Sequence, residues 1–423
     1  MLLLLFTGQL VWNISQTVAH KADTRPRPTA IINRDIGPLL PPGKSSAPQL
    51  TLSTGKYIVY EQQTGISVVP VSGGIATLLT TPGYSYNRAV PARITPSGQL
   101  LYSGNGLWLA DIFYGTTKQI ATLPAGQVIT SMALSNDGTT VAWSTEPANG
   151  VGKTVLYAGP LEQSAPIYQH DAIDCPCYRV FSFLNGTSKQ ADAALLLTDD
   201  RGDHHAVMYG LWSFNLDGIS SEPQLLLSGD SPQGPLALSS NNTLLYSTSL
   251  GIVPTTDDLS VPIDIASLNY ANSLSMTGIN MPTQEDDSTL VNNGSHTILP
   301  EQQYLSNSAA YHWVTTPTFS RDGHTLIYVE FSSDAQTPFD RHNAIYVVHS
   351  TGSGTHLSVG KPQLLATSTD LFVELGAWIS DSTLTFYSDG TLYALDTTNS
   401  AVAMILRTKT YARAIAVVEG STE

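Results

Sequence analysis

Basic residues are scarce in this chain of 423 residues. Lysine and arginine total 19 against 34 aspartates and glutamates, and the formal net charge at pH 7 is −15. A surface of that sign repels a phosphate backbone over most of its area. The composition therefore excludes nucleic acid as the expected partner.

Cysteine is nearly absent. The two cysteines, Cys175 and Cys177, are separated by one proline. A disulfide between them would close a small strained ring, and metal sites usually need more ligands at a wider spacing. We therefore expect two ordinary thiols in a loop, with a labile redox pair or half of a metal site as the alternatives.

The sequence also lacks catalytic and nucleotide-binding motifs. It contains no Gly-x-Ser-x-Gly elbow, no P-loop and no Gly-x-Gly-x-x-Gly loop in a suitable context. Serine-peptidase chemistry would need a second domain on another chain, and no cofactor is predicted. Paired carboxylates for glycoside cleavage stay open, because such acids can come from distant parts of a chain.

Long helical patterns are missing, and turn-forming residues are frequent. We find no amphipathic pattern of three helical turns, whereas the chain contains 33 glycines and 25 prolines. This composition is typical of many short strands joined by turns.

The N-terminal residues differ from the rest. Residues 1–20 contain the apolar run Leu2 to Phe6, which is shorter than the roughly 20 residues that span a bilayer. We interpret this part as the end of a signal peptide or membrane anchor, residues 21–48 as a Pro-rich linker, and residues 49–423 as the folded body. The interpretation predicts an exported or envelope-tethered protein, although Lys21 and two following arginines argue against it.

A turn sequence is repeated along the folded body. Residues 133–143 return as residues 318–328, with a serine, an Asp-Gly pair and a closing aromatic residue in register. Asp before Gly favours a tight turn, because Asp bonds nearby amides and Gly accepts a positive φ. The residues predicted to make these turns are Asp137, Gly138, Asp322 and Gly323.

Further copies of this unit, which have lost the Asp or the Gly, predict a radial array of small sheets. Each unit is interpreted as four short strands, with the Asp-Gly turn between the first and the second. The third strands are predicted at 66–71, 106–110, 154–158, 211–216, 263–268, 344–348 and 391–395. We therefore predict an all-β fold, a single β-propeller of seven four-stranded blades. The sequence also allows six or eight blades, because the repeat is poorly preserved in the fifth unit.

Two further segments have predicted roles in the ring. A surplus strand at 412–418 is predicted to complete the first blade, because an open sheet edge would leave backbone groups unpaired. The polar stretch at about 282–310 loses the strand periodicity and is interpreted as an insertion.

The repeats resemble the TolB-like, or WD40-like, propeller family, whose units carry a comparable Phe-Ser-x-Asp-Gly turn before a Leu/Ile-x-Tyr/Phe strand. The likeness covers nearly all of residues 49–418. It is clean at Ser135-x-Asp137-Gly138 and at Ser320-x-Asp322-Gly323. The resemblance implies a propeller. TolB itself has six blades and an extra domain, neither of which can be placed here, so its partners are not carried over.

Candidate binding residues follow from the predicted blades. Loops between blades and turns between second and third strands should meet at one end of the channel, where aromatic, acidic and histidine residues suit glycan, peptide or metal-ion binding. No metal site is predicted, because the acids and histidines lack a fixed ligand spacing. The candidates are Tyr84, Tyr86, Arg88, Asp199, Asp203, His204, His205, His312, Trp313, Asp340, Arg341 and His342.

The sequence supports three hypotheses for the function. The leading hypothesis is a non-catalytic propeller, a monomeric ring, that binds a protein, peptide or glycan at this end of the channel. The alternative is a carbohydrate-active hydrolase or lyase that uses two of the carboxylates Glu146, Asp199, Asp340 and Glu374 as acid and base. A purely structural role in an assembly is a third reading.

Overall fold

A computed structural model of the protein describes residues 55–174, 177–184, 194–199, 209–216, 222–226, 234–247, 271–278, 296–303, 311–333, 341–352, 356–368 and 373–420. This part of the chain forms 29 β-strands and one short 3-10 helix, Ala172–Asp174. No helix in it has the length and apolar character needed to cross a bilayer.

The strands are short and follow one another closely. In chain order they are β1 (Gly55–Gln62), β2 (Gly65–Pro70), β3 (Thr77–Leu78), β4 (Arg93–Ile94), β5 (Gln99–Ser103), β6 (Gly106–Asp111), β7 (Thr117–Thr122), β8 (Gln127–Leu134), β9 (Thr140–Pro147), β10 (Lys153–Pro160), β11 (Ala165–Asp171), β12 (Tyr178–Leu184), β13 (Ala194–Asp199), β14 (Tyr209–Asn215), β15 (Gln224–Leu225), β16 (Gly234–Leu238), β17 (Thr243–Ser247), β18 (Ala271–Gly278), β19 (His296–Gln303), β20 (Tyr311–Phe319), β21 (Thr325–Ser333), β22 (Arg341–Thr351), β23 (Ser358–Val359), β24 (Gln363–Ser368), β25 (Val373–Ser380), β26 (Thr383–Ser388), β27 (Thr391–Asp396), β28 (Val402–Arg407) and β29 (Arg413–Gly420).

Hydrogen bonding sorts the described strands into seven antiparallel sheets, which are the blades. Blade one has the order β29-β1-β2-β3, and blades two to five are β4–β7, β8–β11, β12–β15 and β16–β19. Blade six contains β20–β24, with β23 and β24 both paired to β22, and blade seven is β25–β28. The predicted all-β fold of four-stranded blades is confirmed.

Apolar clusters between neighbouring blades place the sheets in a closed ring. Side chains alternate across a strand, so each sheet can bury one face against each neighbour. In β1, Val59 packs with Leu100 of blade two, whereas the preceding Ile58 packs with Leu392 of blade seven. Equivalent clusters join each remaining pair of successive blades.

The C-terminal strand closes this ring, as predicted. β29 pairs antiparallel with β1, with Tyr57 opposite Val418 and Glu61 opposite Arg413. It takes the innermost position of blade one and contacts β25 and β4, the innermost strands of the two neighbouring blades. The first and last parts of the folded body are therefore held in one sheet.

Blade five differs most from the sequence prediction. Its third strand is β18, whereas the predicted third strand at 263–268 lies outside the described residues. Its fourth strand, β19, lies within the stretch 282–310 that was interpreted as an insertion. The sequence of β18 is Ala-Asn-Ser-Leu-Ser-Met-Thr-Gly. Its small and polar residues interrupt the apolar alternation, so the sequence pattern does not predict this strand.

Aromatic pairs, each with its second-strand ring buried, stabilise the middle of four blades. The aromatic residue of a second strand stacks on the aromatic residue directly opposite in the third strand. The Trp143 and Tyr157 ring centroids are 3.9 Å apart, and those of Phe386 and Tyr393 are 5.1 Å apart. The other two pairs are Tyr102 with Trp108 and Tyr328 with Tyr346. These contacts assign the rings to the core.

The Asp-Gly turns have one hydrogen-bond pattern. Ser135 Oγ donates to Asp137 Oδ1 (2.6 Å) and accepts from Thr140 N (2.9 Å), while Gly138 N donates to Ser135 O (2.9 Å). Hydrogen bonds to the Asp137 carboxylate, first from Ser135 Oγ and then from Thr139 N, lower the pKa of Asp137. The turn therefore loses this stabilisation as the pH falls through that lowered pKa.

The second turn repeats the first. Asp322 accepts from Ser320 Oγ and from His324 N, and Gly323 N donates to Ser320 O. Both turn glycines have left-handed backbones, with φ of 72° at Gly138 and 75° at Gly323, and in blade five Asn242 (φ 58°) takes this conformation.

Replacing Gly138 with alanine is expected to destabilise the ring by about 2–4 kcal/mol. An added Cβ would lie 2.6 Å from Pro96 Cδ and 2.9 Å from Thr95 Cβ, atoms of the neighbouring blade's turn, and overpacking adds to the penalty for a positive φ. Urea unfolding would measure the difference. Gly126→Ala is the matched control, because its φ is +80° and no heavy atom lies within 4 Å. Equal losses for both variants would rule out the blade-to-blade contact.

Cys177 is disulfide-bonded. The expectation of two ordinary thiols is therefore wrong. The other cysteine of the sequence, Cys175, lies outside the described residues.

Candidate binding site at the channel mouth

Loops between blades meet the turns between second and third strands at one end of the ring, which we call the mouth. Ser85 N donates to Ser103 O (3.3 Å), and Ala148 N donates to Gly126 O (2.8 Å). The Asp-Gly turns occupy the opposite ends of the same strands. Side chains at the mouth and side chains at the Asp-Gly turns therefore lie at opposite ends of the strands.

Charged and aromatic side chains gather at the mouth where the ring closes. They come from blades seven, one and two, and several begin innermost strands: Arg413 is the first residue of β29, Arg93 the first of β4, and Glu374 the second of β25. We call this group the closure cluster. Its members are Glu61, Tyr84, Tyr86, Arg88, Arg93, Glu374, Tyr411 and Arg413.

An ion pair between Glu61 and Arg413 forms the base of the cluster. Arg413 Nε donates to Glu61 Oε1 at 2.6 Å, and its Nη2 contacts the same oxygen. Arg413 Nη1 donates to Arg88 O at 2.9 Å, and Ala92 N donates to Glu61 Oε2 at 3.2 Å. Glu61 is only 1% exposed. Burial opposes the charge of Arg413, but Glu61 and other neighbours outweigh it and raise the pKa of Arg413.

A second ion pair spans the closure. Arg88, in the loop between blades one and two, donates from Nη2 to Glu374 Oε2 of blade seven at 3.1 Å. Its guanidinium also lies 5.3 Å from the ring centroid of Tyr411, within the range of a cation–π contact. The loop is thereby tied to both sides of the ring closure.

Three partly exposed tyrosines belong to the same cluster. The rings of Tyr86 and Tyr411 meet edge to face with centroids 6.3 Å apart, and Tyr84 Oη donates to Glu61 Oε2 at 3.4 Å. Burial first, and then Glu61, raise the pKa of Tyr84, while burial and then Glu374 raise that of Tyr411. Both hydroxyls therefore stay protonated at neutral pH.

Close backbone contact fixes the loop that carries Tyr84. Tyr84 forms an isolated bridge with Gly104, and a Cβ on Gly104 would lie 1.8 Å from Gly83 O. Tyr102 Oη also donates to Pro82 O at 2.9 Å. Only glycine at position 104 permits this approach, which sets where the Tyr84 ring lies.

A separate ion pair lies at the mouth between blades three and four. Arg179 donates from Nε to Glu146 Oε1 at 3.1 Å and from Nη2 to Glu146 Oε2 at 3.4 Å. Both side chains are about one-fifth exposed. This two-point geometry is the one that arginine and carboxylate prefer.

The structure brings some of the predicted binding residues together. Tyr84, Tyr86 and Arg88 lie in the closure cluster. The backbone places Asp199 at the end of β13, His312 and Trp313 in β20, and Arg341 and His342 at the start of β22. The remaining candidates, Asp203, His204, His205 and Asp340, lie outside the described residues.

The expectation that Asp199, His312, Trp313, Arg341 and His342 belong to loops is wrong. Their strands extend farther towards the mouth than the sequence pattern suggests, because polar residues continue the pairing after the apolar alternation ends. His312 and His342 both lie opposite Ser332 of β21.

Sequence reasoning missed the buried half of the cluster. Glu61 ends the apolar run of β1, and Arg413 precedes the apolar run of β29. The predicted pairing of the C-terminal strand with the first blade already implied that Glu61 and Arg413 are neighbours, because antiparallel pairing brings the end of one strand beside the start of the other. Arg93 and Tyr411 carried no comparable signal.

The acids proposed for catalysis are engaged by arginines where they are described. Glu146 pairs with Arg179 and Glu374 with Arg88, while the side chain of Asp199 and all of Asp340 lie outside the described residues. Within the described part, no group of three or more histidine, cysteine, aspartate or glutamate side chains could hold a metal ion.

Comparison with known proteins finds likeness in fold. No family model and no curated protein matches the chain. It resembles an oligogalacturonate lyase solved in complex with manganese, at 13% identity and a TM-score of 0.50, over 85% of this chain and 87% of the lyase. It also resembles TolB from Acinetobacter baumannii, at 11% identity and a TM-score of 0.40, over 87% of this chain and 80% of TolB. With its closed ring of small antiparallel sheets, the chain is a β-propeller, and the likeness to the lyase is one of fold.

Proposed function

We propose that this chain is a non-catalytic binding propeller that holds a protein, peptide or glycan at the closure cluster. The observation that carries the proposal is the group of partly exposed tyrosines, Tyr84, Tyr86 and Tyr411, beside arginines fixed by buried carboxylates. Tyrosine combines an apolar face with a hydroxyl and loses little conformational entropy on binding. Rigid placement reduces the entropy lost further.

Binding is favoured over acid–base chemistry by the state of the acids. A general acid and base must exchange protons with a substrate, whereas Glu61, Glu374 and Glu146 each contact a guanidinium. These acids position arginines. The cluster therefore suits recognition of a ligand that leaves unchanged.

We also propose that the protein works outside the cytoplasm, as a monomeric ring. The disulfide at Cys177 supports this proposal, because disulfides persist mainly in oxidising compartments. The interpretation of residues 1–20 as a signal or anchor segment and of residues 21–48 as a Pro-rich linker belongs to the same proposal.

Glycan and peptide arrays probed with the purified protein would test the binding role. Tyr86→Ala is expected to weaken the array signals of the wild type about fivefold or more, since one aromatic contact contributes about 1 kcal/mol or more. Tyr114→Ala is the control, because Tyr114 is exposed and lies in the turn between β6 and β7 at the opposite end of the ring. The proposal fails if no array component binds, or if both variants lose the same signal.

A further inference from the structure

Exposed aliphatic side chains gather on the outer rim of two neighbouring blades. Four of the ten large apolar side chains that are exposed in the described part of the chain lie on the outermost strand, or in the turn before it, of blades one and seven. They are Ile75 (89% exposed), Leu78 (63%), Val402 (48%) and Met404 (59%), which we call the rim patch. The outer strands of blades four and six each carry only one, Leu225 and Leu364.

Blades one and seven contact each other at this rim. The turn after β2 lies directly against β28, since a Cβ added to Gly73 would be 2.9 Å from Ile405 O. Ala76 of blade one also packs in the same apolar cluster as Ile405 of blade seven. The rim patch therefore lies on adjoining elements of the two blades.

The edge of β28 is unpaired within the described part of the chain. β28 is the last strand of its sheet, and Ala401 O accepts from Asp396 N, at the end of β27, at 2.9 Å. Bonded and non-bonded pairs alternate along an antiparallel ladder, so the amides of Val402 and Met404 point away from β27. Hydrogen exchange at these two amides therefore reports whether another molecule covers the rim patch.

Acidic residues are missing from the segments that form the rim patch. Residues 62–87 contain no charged residue, and the only charged residues of 397–412 are Arg407 and Lys409, both of which are exposed. The acid that precedes the second segment, Asp396, accepts hydrogen bonds from its own turn. In a protein of net charge −15, exposed aliphatic side chains beside basic ones are typical of a surface that contacts anionic lipid.

We propose that the rim patch lies against a lipid bilayer, with its aliphatic side chains at the boundary of the acyl chains and with Arg407 and Lys409 at anionic headgroups. This inference goes beyond the binding role at the mouth. The chain enters the ring at Gly55, the first residue of β1 in blade one. A membrane anchor in residues 1–20, as proposed above, would raise the effective concentration of this blade at the bilayer. The closure cluster begins the innermost strands, so contact at the outer rim leaves the mouth open.

Hydrogen exchange of the full chain, with and without vesicles, tests this proposal. The vesicles contain phosphatidylcholine mixed with phosphatidylglycerol, and vesicles of phosphatidylcholine alone serve as the neutral comparison. We expect the amides of Ile75, Val402 and Met404 to exchange about tenfold more slowly with the anionic vesicles, because the rim patch leaves water. The outer strand of blade two, β7, should exchange at the same rate in both conditions.

Two matched double variants assign the effect to the rim patch. Ile75→Asp with Met404→Asp should remove the added protection, because carboxylates oppose insertion and are repelled by anionic headgroups. Leu225→Asp with Leu364→Asp is the control, since these side chains are 54% and 55% exposed on the outer strands of other blades. All four sites are exposed, so both variants should fold, and near-ultraviolet circular dichroism checks this. Both variants keep residues 1–54.

Four results would contradict the proposal. Vesicles that leave exchange at the rim unchanged, or equal loss of protection in the two double variants, would overturn the lipid contact. Protection that rises with protein concentration in the absence of vesicles would assign the patch to a second copy of the chain. Equal protection by phosphatidylcholine alone would overturn the role of the anionic headgroups. The arrays probed with Tyr86→Ala test the mouth separately, so either proposal can fail alone.

Discussion

Deleting the chain from Arg413 onward is expected to abolish the cooperative unfolding of the ring. β29 is the innermost strand of blade one, and its loss would expose the backbone edge of β1 and open the contacts with blades two and seven. Glu61 would lose Arg413 in a buried position. The combined loss should exceed about 5 kcal/mol, which is comparable with the whole stability of many domains.

Urea unfolding followed by near-ultraviolet circular dichroism would measure this loss. A chain truncated after Gly420 is the control, because it keeps β29 whole. A synthetic peptide with the sequence of Arg413–Gly420, added to the truncated chain, is expected to restore part of the native signal. A truncated chain that unfolds cooperatively within about 1 kcal/mol of the full chain would contradict the role of β29.

The second large effect is expected from Glu61→Ala, at about 3–5 kcal/mol of lost stability. The substitution leaves the guanidinium of Arg413 in a poorly solvated position without its carboxylate, and it removes the acceptor for Ala92 N. The double variant Glu61→Leu with Arg413→Met should recover part of the loss, since a pair of apolar residues carries no unpaired charge.

An exposed ion pair on the same two strands provides the control. Lys56 and Glu419 lie 3.6 Å apart with side chains 48% and 76% exposed. Glu419→Ala should change the stability by less than about 1 kcal/mol, because water already solvates both charges. Similar losses of stability for Glu61→Ala and Glu419→Ala would show that burial does not strengthen the pair of Glu61 with Arg413.

Much of the fold can be predicted from sequence because the repeated element is local. The contacts among Ser135, Asp137 and Gly138 span four residues, so the turn can be recognised as a short sequence motif. In blade five this motif is incomplete. Asn242 takes the left-handed position of the turn glycine, and the third strand lacks a clear apolar alternation.

The candidate site was only partly predictable, because it depends on contacts between distant residues. Tyr84 and Arg88 share one loop and stood out by residue type. Glu61 and Arg413 are 352 residues apart in the sequence, and only the closure of the ring makes them neighbours.

Hydrogen exchange of the amides in β29 tests the closed ring most directly. The account predicts that the amides of Arg413–Gly420 that bond to β1 exchange only through global opening, with protection equal to that of β1, because the two strands share one sheet. Rapid exchange across β29 beside a protected β1 would contradict closure of the ring and, with it, the site built upon that closure.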